Sequence, residues 1–421
     1  MDHFLNRTEE LAQFDSLLKK NGLVVVFGRR RIGKTRLLTE WLNRVGGIYV
    51  QAIEGNGAAQ LAQISQDIQE THSFGITPKT WNELFKLLDS FPGRLILAID
   101  EFPYLVDADS SVPSIFQKWL DHRKKKDVLL ILSGSSQKMM HDLFLNRSTP
   151  LYGRAILEIK LSEMGYPHFC KALGLKTSTI ESFLWFSVTG GIPWYWTLMD
   201  PDRDLLWNLD RLYFGSSAIL ENEAKRLLSD EKIGGLVSLS VLEMVGRGAS
   251  KPSEVASRLE IPQTQLSKTF GALTEAGFLE KEVPFGQSKG GIYAIRDSVL
   301  RFWFKVCSPH HSRWPQYSKE AKLQLIRTFA SQIFESHCRE FFRGSQRYWE
   351  GDLEFDAVVP ATHEAPLRVV EAKFGLLTAK ERASCLKELS GSWGRCKLAS
   401  RHLNPQFEVF DFSDFLRGVE R

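Results

Sequence analysis

Residues 23–35 read LVVVFGRRRIGKT. The first five are apolar and mostly β-branched, a composition that suits a strand buried on both faces of a parallel sheet. Gly28 to Thr35 fit the spacing G-x-x-x-x-G-K-[ST], and an amphipathic helix is expected from about Gly33 to Val45. Strand, glycine turn and helix in that order are what a phosphate-binding loop requires. Gly28 and Gly33 are expected to adopt the φ values that turn successive N–H groups inward. Arg29, Arg30, Arg31, Ile32 and Arg36 supply the rest of the loop and the start of the helix. These amides and the helix N-terminus form a nest for a β-phosphate. Lys34 is expected to reach the β and γ oxygens, and Thr35 to put its hydroxyl on Mg²⁺. ATP and Mg²⁺ are the cofactors this pattern requires.

Around the loop, strands and helices alternate. NRTEELAQFDSLLKK carries Leu11, Phe14, Leu17 and Leu18 at helical spacing, and Gly22 stops the helix. Strands are expected at 48–51, 94–100, 127–136 and 155–161, with helices at 81–88 and 114–123. Such alternation predicts a doubly wound parallel sheet. RLILAID carries Asp100, followed by Glu101, to the C-terminal edge of its strand, where ligands sit in open α/β sheets. Asp100 is expected to hold Mg²⁺ through water, and Glu101 to orient or deprotonate the attacking water. A lone strand-end Asp is often a helix cap, but the P-loop upstream favours the catalytic reading. Ser133 and Ser135, in SGSS, suit either a γ-phosphate sensor or a plain Gly/Ser turn. Arg154 suits either phosphoryl transfer or a salt bridge.

Taken together, NRTEEL, FGRRRIGKT, LAIDEFPYL, LILSGSS, PLYGR and TGGIPWY resemble the archaeal-type ATPases, a group of AAA+- and STAND-related P-loop proteins. The resemblance runs through the N-terminal two-thirds or so of the chain. It implies an ASCE-type sheet in which the Walker B strand lies beside the strand carrying the sensor serine. It also implies a helical lid whose Gly191-Ile192-Pro193 lies near the nucleotide, and an Arg7 near the adenine. Without the resemblance, GGIP reads as a turn between helices.

The expected organisation is α/β and multidomain: an ATPase core at 1–165, a helical lid at 166–232, a winged helix-turn-helix at 233–312 and a last α/β domain at 313–421. In the third segment, helices at 236–245, 250–260 and 263–276 precede a strand–loop–strand. A DNA-binding version would present Gln263, Thr264, Gln265 and Lys268 on the third helix and Lys289 on the wing. Cationic density there is low, which equally suits a packing module that relays nucleotide state.

In the last segment EFDAVVP places Asp356 in a strand. VVEAKF places Glu371 and Lys373 on one face of the next, because residues i and i+2 share a side. Glu335 lies on an upstream helix. The constellation resembles the PD-(D/E)xK nuclease fold, which implies metal ligation by Asp356 and Glu371, completion of the shell by Glu335, and positioning of water by Lys373. Read alone, E-x-K is usually a solvated strand face. Here Val369, Val370, Ala372 and Phe374 flank it and suggest partial sequestration.

The 421 residues are too many for one core, and 43% hydrophobic with 25% charged residues is ordinary for a globular chain. No apolar run is long enough to span a membrane, and no secretory signal is recognisable. Five scattered cysteines without a CxxC pair argue against structural zinc and fit a cytoplasmic setting. A net charge of +4 permits a nucleic-acid partner without requiring one. The leading expectation is an ATPase that acts on nucleic acid, DNA rather than RNA. The rivals are an ATP-dependent switch with a protein partner and a chaperone-like machine, the latter weakened by the lack of a substrate-gripping pore loop.

Overall fold

Five short apolar runs build the first sheet: β1 (Gly22–Phe27), β2 (Ile48–Gln51), β3 (Leu95–Asp100), β4 (Val128–Gly134) and β5 (Ala155–Lys160). All pair in parallel, in the order β2-β3-β4-β1-β5. β3 and β4 are buried along their whole length, which is why their sequences do not alternate. On one face Leu23, Val25, Leu97, Ile99, Leu130 and Leu132 join a core with Ile64, Leu84, Phe102 and Phe116 from the connecting helices. β5 is an edge strand whose burial alternates, leaving Ile156 exposed.

The Lys34–Val45 helix buries Leu37, Leu38, Trp41 and Leu42, a stripe with the i, i+4 recurrence of one helix face. Trp41 stacks on Phe14 with ring centroids 4.9 Å apart, and its indole donates to Asp15 at 2.8 Å. These contacts dock the Thr8–Asp15 helix beside the P-loop helix. The Gly57–Thr71 helix is absent from the sequence expectation above, although Leu61, Ile64 and Ile68 recur on one buried face.

The coordinates are a computed structural model that describes residues 4–71, 77–124 and 126–419. Two compact units separate: Met1–Met164 with Ile192–Trp194, and Gly165–Gly191 with Tyr195–Arg421.

In the second unit, helices Leu236–Gly246, Pro252–Leu259 and Gln263–Glu275 close over Leu242, Val255, Leu266, Phe270 and Leu273. An antiparallel pair follows, β6 (Leu279–Glu282) and β7 (Ile292–Ile295). A long helix, Lys319–Phe341, leads to a mixed sheet of β8 (Gln346–Glu350), β9 (Leu353–Val359), β10 (Arg368–Lys373) and β11 (Gln406–Asp411). Its order is β11-β10-β9-β8, with only the β10–β11 pair parallel. Phe183, from the Ile180–Thr189 helix, lies 5.2 Å from Phe374 and 5.4 Å from Phe415 between ring centroids. Such edge and tilted aromatic pairs contribute about 0.5–1.5 kcal/mol each beyond their area. They tie the Ile180–Thr189 helix to the C-terminal sheet within one body.

Candidate functional site

The P-loop leaves β1 at Phe27. Within it Arg31 (φ 67°) and Gly33 (φ 97°) take the left-handed backbone region. Gly33 caps the 12-residue Lys34–Val45 helix and accepts from Leu37 N–H at 3.0 Å. Gly28 departs from the expectation, because its φ is not positive. Glycine is required there by proximity: a Cβ would meet the carbonyl oxygen of Leu161 at 2.8 Å. The second left-handed position belongs instead to Arg31, a non-glycine residue held in a conformation that costs energy and recurs at functional loops.

Lys34 is buried, and its ammonium donates to the carbonyls of Gly28 (3.1 Å) and Arg29 (3.2 Å). The charge is thus folded back over the concave side of the loop. Arg29 pairs with Glu163 at 3.2 Å. Arg7 is buried behind the loop, donating to the carbonyls of Ile32 (3.1 Å) and Ser162 (2.9 Å) and pairing with Glu10 at 3.0 Å. Arg7 braces the loop backbone from behind. The guanidinium of Arg31 lies 3.6 Å from the ring centroid of Trp194, the residue after Pro193. The Gly191-Ile192-Pro193 turn therefore delivers an aromatic platform to a P-loop arginine. Arg30, Ile32 and Arg36 complete the stretch, with Ile32 buried and Arg36 exposed.

Across the sheet edge, Asp100 is fully buried at the end of β3. Its Oδ2 accepts from Thr35 Oγ1 (2.6 Å) and from the Tyr49 hydroxyl (2.9 Å). Its Oδ1 accepts from Ser133 Oγ (2.5 Å) and from Glu101 N–H (3.0 Å). The Tyr49 phenol is pushed well above its usual range, first by burial and then by the Asp100 charge. It stays protonated and a donor. Glu101 is left-handed (φ 53°), and its Oε2 accepts from Ser135 Oγ (2.8 Å) and Ser135 N–H (3.2 Å). The two serines that the sequence left ambiguous thus each hold one of the two carboxylates.

Thr35 Oγ1 beside Asp100 is a pair of hard oxygen donors at the mouth of an amide nest, and Mg²⁺ bound to a nucleotide's phosphates fits that donor set. These residues could hold it; the cation would draw charge from the phosphate oxygens.

Arg154 does not join this edge. β5 runs parallel to β1 with Leu23 opposite Ala155 and Phe27 opposite Lys160. Arg154 therefore stands at the start of the strand, about 15–20 Å from the P-loop at 3.3 Å per residue. It pairs with Asp121 at 2.9 Å. A role at this chain's own nucleotide is ruled out by that distance, and the salt-bridge alternative is what the structure holds.

In the second unit β9 and β10 run antiparallel, with Val370 opposite Ala357. One step further, Asp356 and Glu371 come side by side, and Asp356 Oδ2 accepts from Ala372 N–H at 2.8 Å. Burial and then the Glu371 charge push the Asp356 carboxyl up to about 7. Glu371 pairs with Lys373 at 2.6 Å. Burial draws Lys373 down, but the Glu371 hydrogen bond and charge outweigh it and leave the ammonium raised. The expected metal shell of Asp356, Glu371 and Glu335 is not assembled: among the described residues no three His, Cys, Asp or Glu side chains gather as a metal site. Glu371 is drawn to Lys373. Glu335, on the Lys319–Phe341 helix, lines a cavity with Arg301, Arg339 and Arg347; its charge still acts on Asp356, and burial raises its own carboxyl.

Tyr49, Glu163 and Trp194 are the site residues the sequence reading passed over. Of these only Trp194 carried a signal, standing next to Pro193 in the GGIPW run.

A five-stranded parallel sheet with β4 inserted between β1 and β3, a P-loop after β1 and a carboxylate pair after β3 define a P-loop ATPase of the ASCE type. Residues 4–198 match a family described as an ATPase domain predominantly from Archaea. This segment is therefore similar to an ATPase domain found predominantly in Archaea. An uncharacterized protein of Methanocaldococcus jannaschii is 26% identical over 412 residues, spanning 92% of this chain and 91% of that one. Among solved structures, a Walker-type ATPase of Pyrococcus abyssi is 19% identical, with a TM-score of 0.56, covering 72% of this chain and 96% of that one. The Aeropyrum pernix ORC2 protein, solved as ADPNP–ADP complexes, is 12% identical with a TM-score of 0.48, covering 76% and 98% respectively. Among the described residues no helix is long and apolar enough to cross a membrane.

Proposed function

We propose that the chain hydrolyses ATP with Mg²⁺ at the P-loop and couples nucleotide state to an action on nucleic acid, DNA rather than RNA. One observation carries the catalytic part: Thr35 Oγ1 and Asp100 Oδ2 meet at 2.6 Å, joining loop and strand end at one point. In this reading the loop amides and Lys34 hold the β- and γ-phosphates. Thr35 and Asp100 would hold the cation. Glu101 orients the attacking water and accepts its proton, and Ser135 holds Glu101 in position. Preorganised donors of this kind act through electrostatics, the largest single contribution in most such sites. Lys34→Ala is expected to abolish phosphate release from ATP, and hydrolysis at the unaltered rate would defeat the assignment.

The nucleic-acid part is supported by three helices followed by an antiparallel pair. Gln263, Thr264, Gln265 and Lys268 are exposed on the third helix, and Lys289 is exposed in the loop between the strands. We read 233–312 as a winged helix on that basis, between a lid at 166–232 and a C-terminal domain at 313–421. Duplex binding measured against salt tests it, since each phosphate contact adds about 0.9 to the log–log slope. A flat slope favours the protein-partner switch.

A second reading, metal-dependent cleavage by the C-terminal domain, is favoured by the adjacency of Asp356, Glu371 and Lys373 on β9 and β10. Plasmid nicking in Mg²⁺ or Mn²⁺ that persists in both Asp356→Ala and Lys373→Ala would remove it.

A further inference from the structure

A cavity of about 300 Å³ in the second unit is lined by Glu282, Arg301, Lys305, Gln332, Glu335, Arg339, Arg347 and Glu354, with Ala294. Its charges are not evenly matched. Arg347 pairs with Glu354 and, at 3.5 Å, with Glu282. Arg339 pairs with Glu282 at 3.4 Å and donates to the Asp356 carbonyl at 3.3 Å. Those contacts use up two of the four cations and two of the three carboxylates. Arg301 and Lys305 remain, and neither side chain forms a hydrogen bond or ion pair among the described residues. Glu280, Glu282 and Glu335 act on Arg301, and Glu335 acts on Lys305, only at longer range. Gln332 adds a buried side-chain oxygen without a hydrogen-bond partner.

Two cations that share one small cavity and lack partners are costly unless an anion joins them. Burial lowers both Arg301 and Lys305, and the neighbouring Arg301 charge lowers Lys305 further. The volume lies at the small end of the range for ligand pockets. It is large enough for a phosphoryl group.

We propose that this cavity is a phosphate-binding site, in which the Arg301 guanidinium and the Lys305 ammonium grip a phosphate group and Arg339 and Arg347 form its charged wall. Arg is suited to bidentate phosphate contact, and Lys acts as a point charge. The site is built within the second unit, whereas the P-loop belongs to the first. It does not require the C-terminal carboxylates to cut anything, so it stands or falls separately from the readings above.

The test uses the full chain with its P-loop filled by a non-hydrolysable ATP analogue and Mg²⁺, so that added phosphate has no access to the nest. Inorganic phosphate is titrated calorimetrically into the wild type, Lys305→Gln and Arg301→Lys. The expected result is one phosphate site in the wild type. Lys305→Gln weakens it about tenfold or more, the effect of losing one charged hydrogen bond, and Arg301→Lys weakens it less. ATP turnover and melting temperature serve as folding controls for both variants and are expected to stay at the wild-type level. A wild type that takes up no phosphate overturns the proposal, as does equal uptake by all three proteins. Competition by 5′-phosphorylated and 5′-hydroxyl oligonucleotides then separates the sources. Displacement by both assigns a strand backbone, by the first alone a strand end, and by neither a free phosphate.

Discussion

Replacing Tyr49 by Phe removes one oxygen atom and leaves the ring in place. That oxygen donates to Asp100 Oδ2 at 2.9 Å, the same carboxylate oxygen that meets Thr35. Asp100 is fully buried and accepts four hydrogen bonds, two on each oxygen. The variant leaves Oδ2 with Thr35 alone. A hydrogen bond to a charged group contributes roughly 1.5–3 kcal/mol. Tyr49 is only partly buried, so the lower figure applies. About 1.5 kcal/mol corresponds to a roughly tenfold change in rate. The phosphate nest lies on β1 and the following helix and is untouched. The expected outcome is thus a kcat lowered about tenfold with a KM for ATP within about twofold, measured as phosphate release over a range of ATP and Mg²⁺ concentrations. Because the Tyr49 phenol is raised above its usual range, its ionisation cannot imitate the mutation at neutral or mildly alkaline pH. A kcat equal to that of the wild type would refute the assignment of Tyr49 as a positioning residue for Asp100.

Trp194→Ala removes the face on which Arg31 rests; a cation–π contact of this kind contributes about 0.5–2 kcal/mol, so ATP affinity, followed by fluorescent-nucleotide titration, is expected to fall between about twofold and thirtyfold. Asp356→Asn should stabilise the fold at high pH. The Asp356 carboxyl is raised to about 7 in the folded state from roughly 4 when unfolded, so its contribution is fully present below pH ~4 and is lost as pH rises through about 7. The gain in melting temperature is therefore expected above pH 7 and should vanish near pH 4; a gain independent of pH would count against this burial. Arg154→Ala breaks a partly exposed pair with Asp121. It should cost no more than about 1 kcal/mol of stability and leave turnover by dilute protein within about twofold, since Arg154 lies far from its own P-loop.

The nucleotide site was legible because a P-loop is written in backbone needs: glycine spacing, a lysine and a hydroxyl between an apolar strand and a helix. Asp100 and Glu101 were legible because an all-apolar strand has one polar end. Long-range facts were not. Gly28 was assigned a turn conformation, whereas it is there because Leu161, far along the chain, passes against it. Tyr49 looked like any strand residue until the β2–β3 register brought its hydroxyl to Asp100. In the last segment E-x-K could be placed on one face of a strand, but the direction of Glu335 depends on how the Lys319–Phe341 helix is rotated over the sheet. No local pattern encodes that rotation. Arg301, Lys305 and Arg347 come from three separate segments and show no common motif.

The placement of β4 has one more consequence. Its tip carries Ser133 and Ser135, the first holding Asp100 and the second Glu101. Metal holding and water activation would then hang from a single strand tip, three residues long. A partner that tilts this tip by a fraction of a bond length would disarm both at once, and the damage from Ser133→Ala and Ser135→Ala together would be less than the product of their separate effects.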